Sequence, residues 1–198
     1  VAYPASSREL LYDVPDSGTI ISDWAFCECK KLNRITIPDS VHEIGEGAFY
    51  NCTSLTKAIL NDNIKEIKDY TFYNCQSLLE VNMPVLLETI GRSSFYRCSD
   101  LYAVTLVGSE VKTIKDFALY QCANLSSVNF GRKVETIGQK AFFQCGALKE
   151  VALPNTVQTL GDKAFAYCEG MTTLTLSENM QEVGKYAFQN CSSLTFSN

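Results

Sequence analysis

The sequence predicts an α/β-type repeat solenoid. It should have about eight stacked coils, with short parallel strands along one side and short helical or 3-10 turns along the other. Three observations predict this. Cysteines stand at 29, 52, 75, 98, 122, 145, 168 and 191, spaced by 23 residues with a single interval of 24. A large apolar residue lies three before each: Phe26, Phe49, Phe72, Phe95, Leu119, Phe142, Phe165 and Phe188. A small residue lies four before, and Leu (Met171 once) lies three after, so the columns keep phase along nearly the whole chain.

Each coil opens on L-x-x-V-x-L, in which Val128 and Phe130, for example, share a face and Asn129 points the other way. That alternation is a short strand with one buried side. Pro38, Pro84 and Pro154 follow such strands directly, where a residue without an N–H ends the ladder. A second apolar pair, V-x-x-I, comes next, as in Val134 and Ile137. The corner A-F-x-x-C then sets Ala48, Phe49 and Cys52 three and four apart, the spacing of one side of a single helical turn. Gly45, Gly91, Gly138, Gly161 and Gly184 precede that corner, but Lys68 and Lys115 share their column, so the position calls for a tight corner rather than positive φ. One coil cannot bury a core, whereas eight in register at about 4.8 Å make a curved rod roughly 40 Å long, its strand side concave. The extra residue of the long interval falls in a turn, within 107–110.

Composition narrows the function. The chain has 198 residues, 46% hydrophobic and 20% charged, with a formal net charge of −5, which suits a soluble fold with a real core and argues against nucleic acid as partner. No apolar run reaches the length of a membrane span, and the N-terminus shows no signal pattern. The missing initiator Met and the short run after Leu194 lead us to expect one solenoid domain over 1–198 that is a piece of a longer protein.

The cysteines admit three chemistries. In-register parallel side chains suit disulfide torsions poorly, and eight in a row have no natural pairing. A line of thiols does not converge on a tetrahedral metal. The favoured reading is small, soft plugs filling the corners: Phe49, Cys52, Phe72, Cys75, Phe95, Cys98, Cys122, Phe142, Cys145, Phe165, Cys168, Phe188 and Cys191. Cys27 is out of column and reads as a more exposed free thiol; with Cys29 it makes a weak pair for metal or redox work.

No catalytic constellation stands out, and no cofactor or metal motif is present. The single histidine, His42, sits in a variable polar column with no nucleophile beside it, and no acidic pair rises above scattered charge. The chain therefore reads as a non-enzyme. The column Tyr50, Tyr73, Tyr96, Tyr120, Phe143 is either a binding stripe or a set of rings packed on one another, and packing is the favoured reading. Two outward columns of the strand side remain. Arg34, Lys57, Glu80, Ser127, Glu150 and Thr173 lie on one, and Thr36, Asn82, Thr105, Asn129 and Thr175 on the other. Invariant inward columns beside variable outward ones are what a solenoid binding face requires.

The run 148–168, LKEVALPNTVQTLGDKAFAYC, resembles the BspA-like, or TpLRR, class of leucine-rich repeats, and the match extends from about residue 10 to 196. The resemblance implies a right-handed coil and a bacterial or protist protein, extracellular or on the cell surface and often adhesive. The expected function is an adhesion module holding a protein, such as a host matrix or serum protein, or a glycan, on its strand face. The alternative is a structural spacer or stalk with no partner of its own, which would self-associate through uncapped ends.

Overall fold

The computed structural model describes residues 11–195. Within them the chain winds into a right-handed parallel β-solenoid of about eight turns. Each turn carries two strands, the first longer than the second except in the fourth turn, where both have two residues. The first strands are β1 (Leu11–Asp13), β3 (Arg34–Thr36), β5 (Lys57–Ile59), β7 (Glu80–Val81), β9 (Ala103–Thr105), β11 (Ser127–Asn129), β13 (Glu150–Ala152) and β15 (Thr173–Thr175). The second strands, formed by the V-x-x-I segment, are β2 (Ile20–Ile21), β4 (Glu43–Ile44), β6 (Glu66–Ile67), β8 (Thr89–Ile90), β10 (Thr113–Ile114), β12 (Thr136–Ile137), β14 (Thr159–Leu160) and β16 (Glu182–Val183). Pairing is parallel, coil to coil: Arg34 lies beside Lys57 and Lys57 beside Glu80. The 24-residue interval appears as Ser127 beside Ala103. Inward residues of both ladders, among them Ile35, Val104, Val151, Ile67 and Ile137, are buried in one continuous core.

The corners are not helical, which corrects the expected convex helical or 3-10 turns; no helix occurs among the described residues. The reason lies in two backbone positions per corner. The residues five before and one before each cysteine take positive φ, as in Tyr70 (59°) and Asn74 (57°) or Lys140 (52°) and Gln144 (60°). Such residues break a helix. They are held because alternate N–H groups leave the coil: Tyr70, Phe72 and Asn74 donate to the carbonyls of Arg92, Ser94 and Tyr96 of the next coil. The N–H groups between them close short turns, Tyr73 onto Tyr70 and Cys75 onto Phe72. The corner is thus a stacked ladder of its own. Gly161 precedes it at ordinary φ; a Cβ there would stand 2.4 Å from the Gln139 nitrogen of the preceding coil, so close approach selects glycine.

A second period runs over the first. Asp23, Asp69, Asp116 and Asp162 occur in every other coil, and each Oδ1 accepts the N–H of the residue one coil on: Glu46, Arg92, Gln139 and Lys185. Both strand ladders are continuous across each of these stapled junctions. The interruptions fall between β4 and β6, β7 and β9, and β11 and β13, which are the junctions without a staple. The coils are grouped in twos.

Candidate interaction surface

The strand face is built by the pleat, which sends alternate residues of β1 to β15 outward. Arg34, Thr105, Ser127, Asn129, Glu150, Thr173 and Thr175 are exposed there, while Thr36 is half-buried. Two other positions are occupied by internal bonds. Lys57 pairs with Glu80, both about half exposed. Asn82 turns its amide onto the neighbouring strand, donating to the Leu60 carbonyl (2.7 Å) and accepting the Leu60 N–H (2.8 Å), so it completes the ladder where β7 stops. Between β9, β11 and β13 the face sinks into a hollow of about 620 Å³ bordered by Thr105, Ser127, Asn129, Lys149 and Glu150. Val128 lies in it and is half-buried, whereas its column neighbours Val104 and Val151 are buried.

The sequence reading passed over large apolar residues that the strand face and its rims leave exposed. Leu79 and Tyr102 (50% exposed) stand on one rim and Val85, Leu86 and Val107 (65% exposed) on the other in the fourth and fifth coils, with Leu11 on β1 and Leu176 after β15 exposed toward the two ends. The signal was present: from the second coil on, Leu79 and Tyr102 interrupt a column otherwise holding Asn33, Thr56, Ser126, Lys149 and Thr172.

On the opposite side lie the corners. All nine cysteines are free thiols. Each in-column thiol from Cys52 to Cys191 donates to the carbonyl of the preceding coil's corner residue, at 3.0 Å for Cys52 to Phe26 and 3.2 Å for Cys168 to Phe142. Cys52, Cys75, Cys98, Cys122, Cys145 and Cys168 expose no surface. Burial holds the Cys98 and Cys145 thiols protonated far above the usual range and pushes Cys29 up to about 12. Cys52 is raised by its contact with the Cys75 thiol and by burial. Cys27 is half-buried, and desolvation followed by the Glu28 carboxylate raises it too. The corner rings stack: Phe26 on Phe49 and Phe49 on Phe72 at 5.2 Å, Phe72 on Phe95 at 5.3 Å. Leu119 interrupts the stack, which resumes with Phe142 on Phe165 at 4.9 Å and ends with Phe165 on Phe188 at 5.8 Å.

Tyr50, Tyr73, Tyr96 and Tyr120 form a second stack, with centroids 4.6–4.7 Å apart and planes within 6°. Phe143 continues it at 4.9 Å. Each ring face is covered by the next ring, so this column packs on itself and offers only edges to solvent. His42 is exposed, and among the described residues no cluster of His, Cys, Asp or Glu could hold a metal ion. Among the described residues no helix is long and apolar enough to cross a membrane.

Two stacked parallel ladders, a thiol-and-ring corner repeated every coil and an open strand face define a scaffold-type repeat solenoid. The model of the BspA type leucine-rich repeat region matches over residues 12–116 and 112–198, and the chain belongs to that family. No curated protein matches it. Among solved structures it is similar to the leucine-rich repeat protein TpLRR of T. pallidum, at 28% identity and TM-score 0.70, covering 96% of this chain and 79% of that one. A leucine-rich repeat protein from Bacteroides ovatus shares 24% identity (TM-score 0.52; 93% of this chain, 59% of that one). The pneumococcal vaccine antigen PcpA shares 19% identity (TM-score 0.64; 83% and 44%), a likeness of fold.

Proposed function

We propose that the chain is a non-enzymatic interaction module of a cell-surface or secreted protein, and that a partner protein docks on its strand face. The observation that carries this is the hollow between β9, β11 and β13, floored by Val128 and ringed by polar side chains, of which Asn129 accepts the Gly131 N–H and Ser126 donates to the Tyr102 carbonyl, with Tyr102 exposed close by in the fifth coil. Buried aromatic anchors inside a polar rim are the usual energetic centre of a protein interface. A protein suits this face better than a glycan, because Tyr102 is the one large aromatic exposed on it among the described residues. The family and the pneumococcal antigen of the same fold support a surface location. The thiols and rings of the corners serve the scaffold that holds the face rigid.

The test is capture from serum and extracellular matrix with the native chain and with Tyr102→Ala/Glu150→Lys. Arg34→Glu/Lys57→Glu is a poorer probe, since it sets a carboxylate against Glu80. A partner retained by the native chain and lost by the first variant locates the site. A partner retained equally by both removes the strand face from consideration, and no partner for either leaves the spacer reading.

A further inference from the structure

Trp24 is the chain's single tryptophan, and it lies 45% exposed at the head of the tyrosine stack. Its indole meets the Tyr50 ring edge-on, with centroids 5.5 Å apart. The indole has a seat. Gly47 holds the equivalent corner position of the next coil, where a Cβ would stand 2.3 Å from the indole carbons. Every later coil puts a side chain at that position: Tyr70, Ser93, Phe117, Lys140, Lys163 and Tyr186. From Tyr50 the row runs through Tyr73 and Tyr96 to Tyr120 in three stacked steps of 4.6–4.7 Å. Phe143 ends it, because a ring without a hydroxyl is far harder to oxidise. That phenylalanine stacks at 4.9 Å without a hydroxyl, so packing alone does not call for the four phenols before it. The row is a line of oxidisable rings with an exposed entrance at one end and an inert ring at the other.

We propose that this row is a radical relay, which takes a one-electron oxidant of the peroxyl class at Trp24 and carries the oxidising equivalent along the tyrosines. The peroxyl radical gains one electron from the indole and one proton, and leaves as the hydroperoxide; the indole N–H gives up that proton. Tyr50 then returns an electron to the indolyl radical, which takes a proton from water while the Tyr50 hydroxyl releases its own. The indole is restored and a phenoxyl radical remains. From Tyr50 to Tyr120 each hop exchanges phenoxyl for phenol between like rings, so little driving force is needed. An enediol reductant such as ascorbate finally gives one electron and one proton to the phenoxyl and restores the phenol. The thiols alongside are poor interceptors. Cys75, Cys98 and Cys122 are held protonated by burial and donate to carbonyls, which take no proton, whereas the readily oxidised form is the thiolate. The relay runs on the corner side of the rod, so it does not depend on docking at the strand face.

The experiment is pulse radiolysis of the full chain at neutral pH, with circular dichroism confirming that each variant is folded. The azide radical serves as oxidant, because it takes electrons from indoles faster than from phenols. The indolyl absorption should decay as the phenoxyl absorption rises, at a rate independent of protein concentration. Tyr50→Phe should slow that transfer several-fold, and Phe143 shows that the column accepts phenylalanine. A nitroso spin trap followed by peptide mass spectrometry then maps the radical. The native chain should carry adducts at Tyr120 as well as at Tyr50, and Tyr73→Phe should lower the Tyr120 share several-fold. Any of three results overturns the proposal: a transfer whose rate rises with protein concentration, a transfer indifferent to Tyr50→Phe, or a Tyr120 share indifferent to Tyr73→Phe.

Discussion

Raising the pH should unfold this protein, and the thiol column sets how steeply. Cys52, Cys75, Cys98, Cys122, Cys145 and Cys168 expose no surface, and each is raised in the folded chain. In the unfolded chain a thiol ionises near pH ~8.5. Above that pH the unfolded state has shed protons that the folded state still holds, so stability falls as pH rises and is fully present below about pH 8. A thiol that stays protonated to pH 10 forfeits about 2 kcal/mol there, and six forfeit about 12 kcal/mol, as much as the whole stability of a typical domain. The limiting slope is about 8 kcal/mol per pH unit. Urea unfolding followed by circular dichroism with a phosphine reductant, at pH 7.5, 8.5, 9.5 and 10, would measure it. Cys98→Ala should lower the slope by the share of one thiol, while Cys27→Ala, removing a thiol that is only partly buried, should lower it less. A stability that is flat from pH 8 to 10, or that falls with the slope of a single group, would show that the buried thiols ionise without unfolding and would refute the reasoning.

Phe72→Ala should cost about 3–5 kcal/mol in urea unfolding, because the ring is fully buried between Phe49 and Phe95; Phe72→Leu should cost much less, as Leu119 fills the same column. Tyr96→Ala should cost about 1–3 kcal/mol, and a double-mutant cycle with Tyr73 should return a coupling of about 0.5–1.5 kcal/mol; no coupling would mean that the stacked tyrosines do not support one another. Asp116→Ala should cost about 1 kcal/mol and speed hydrogen exchange at the Gln139 amide, which loses its 2.8 Å bond. A thiol reagent should label Cys27 first and the fully buried cysteines only on unfolding; rapid labelling of all nine in the native state would contradict the packing described.

Much of the fold was legible because its cause is periodic. A column that buries a side chain in every coil must hold the same kind of residue in every coil, so Phe49, Cys52 and Leu55 announce themselves eight times over. The corner conformation was not legible. Three- and four-residue spacing is shared by a helical turn and by the observed stacked turn. The positive-φ positions that separate the two carry Trp24, Tyr70, Phe117 or Lys140, with glycine once, at Gly47. Their backbone is fixed by hydrogen bonds to the next coil, a tertiary cause that local sequence does not record. The second ladder was missed for a similar reason, since two-residue strands such as Thr113–Ile114 are too short to alternate. On the strand face, the alternation identified which residues point outward but not which are engaged. Nothing in the sequence marked Asn82 as a backbone mimic or joined Lys57 to Glu80. The exposed Tyr102 and Val107 were overlooked because repeat reading rewards agreement between coils, and these residues are departures from it.

The aspartates of alternate coils carry a mechanical consequence. Both ladders and a staple join coils one to two, three to four, five to six and seven to eight, whereas one strand ladder is interrupted at each junction between those couples and only the other ladder and the corner bonds continue, so the couples are joined to one another by fewer bonds than their members are. Pulled from its ends, the rod should yield at those junctions and release segments of two coils. Each step would then lengthen the tether by about 150 Å, twice what one coil contributes. A protein anchored at one end and holding a partner in the hollow between β9, β11 and β13 would hold it across one of these junctions, the one between β11 and β13.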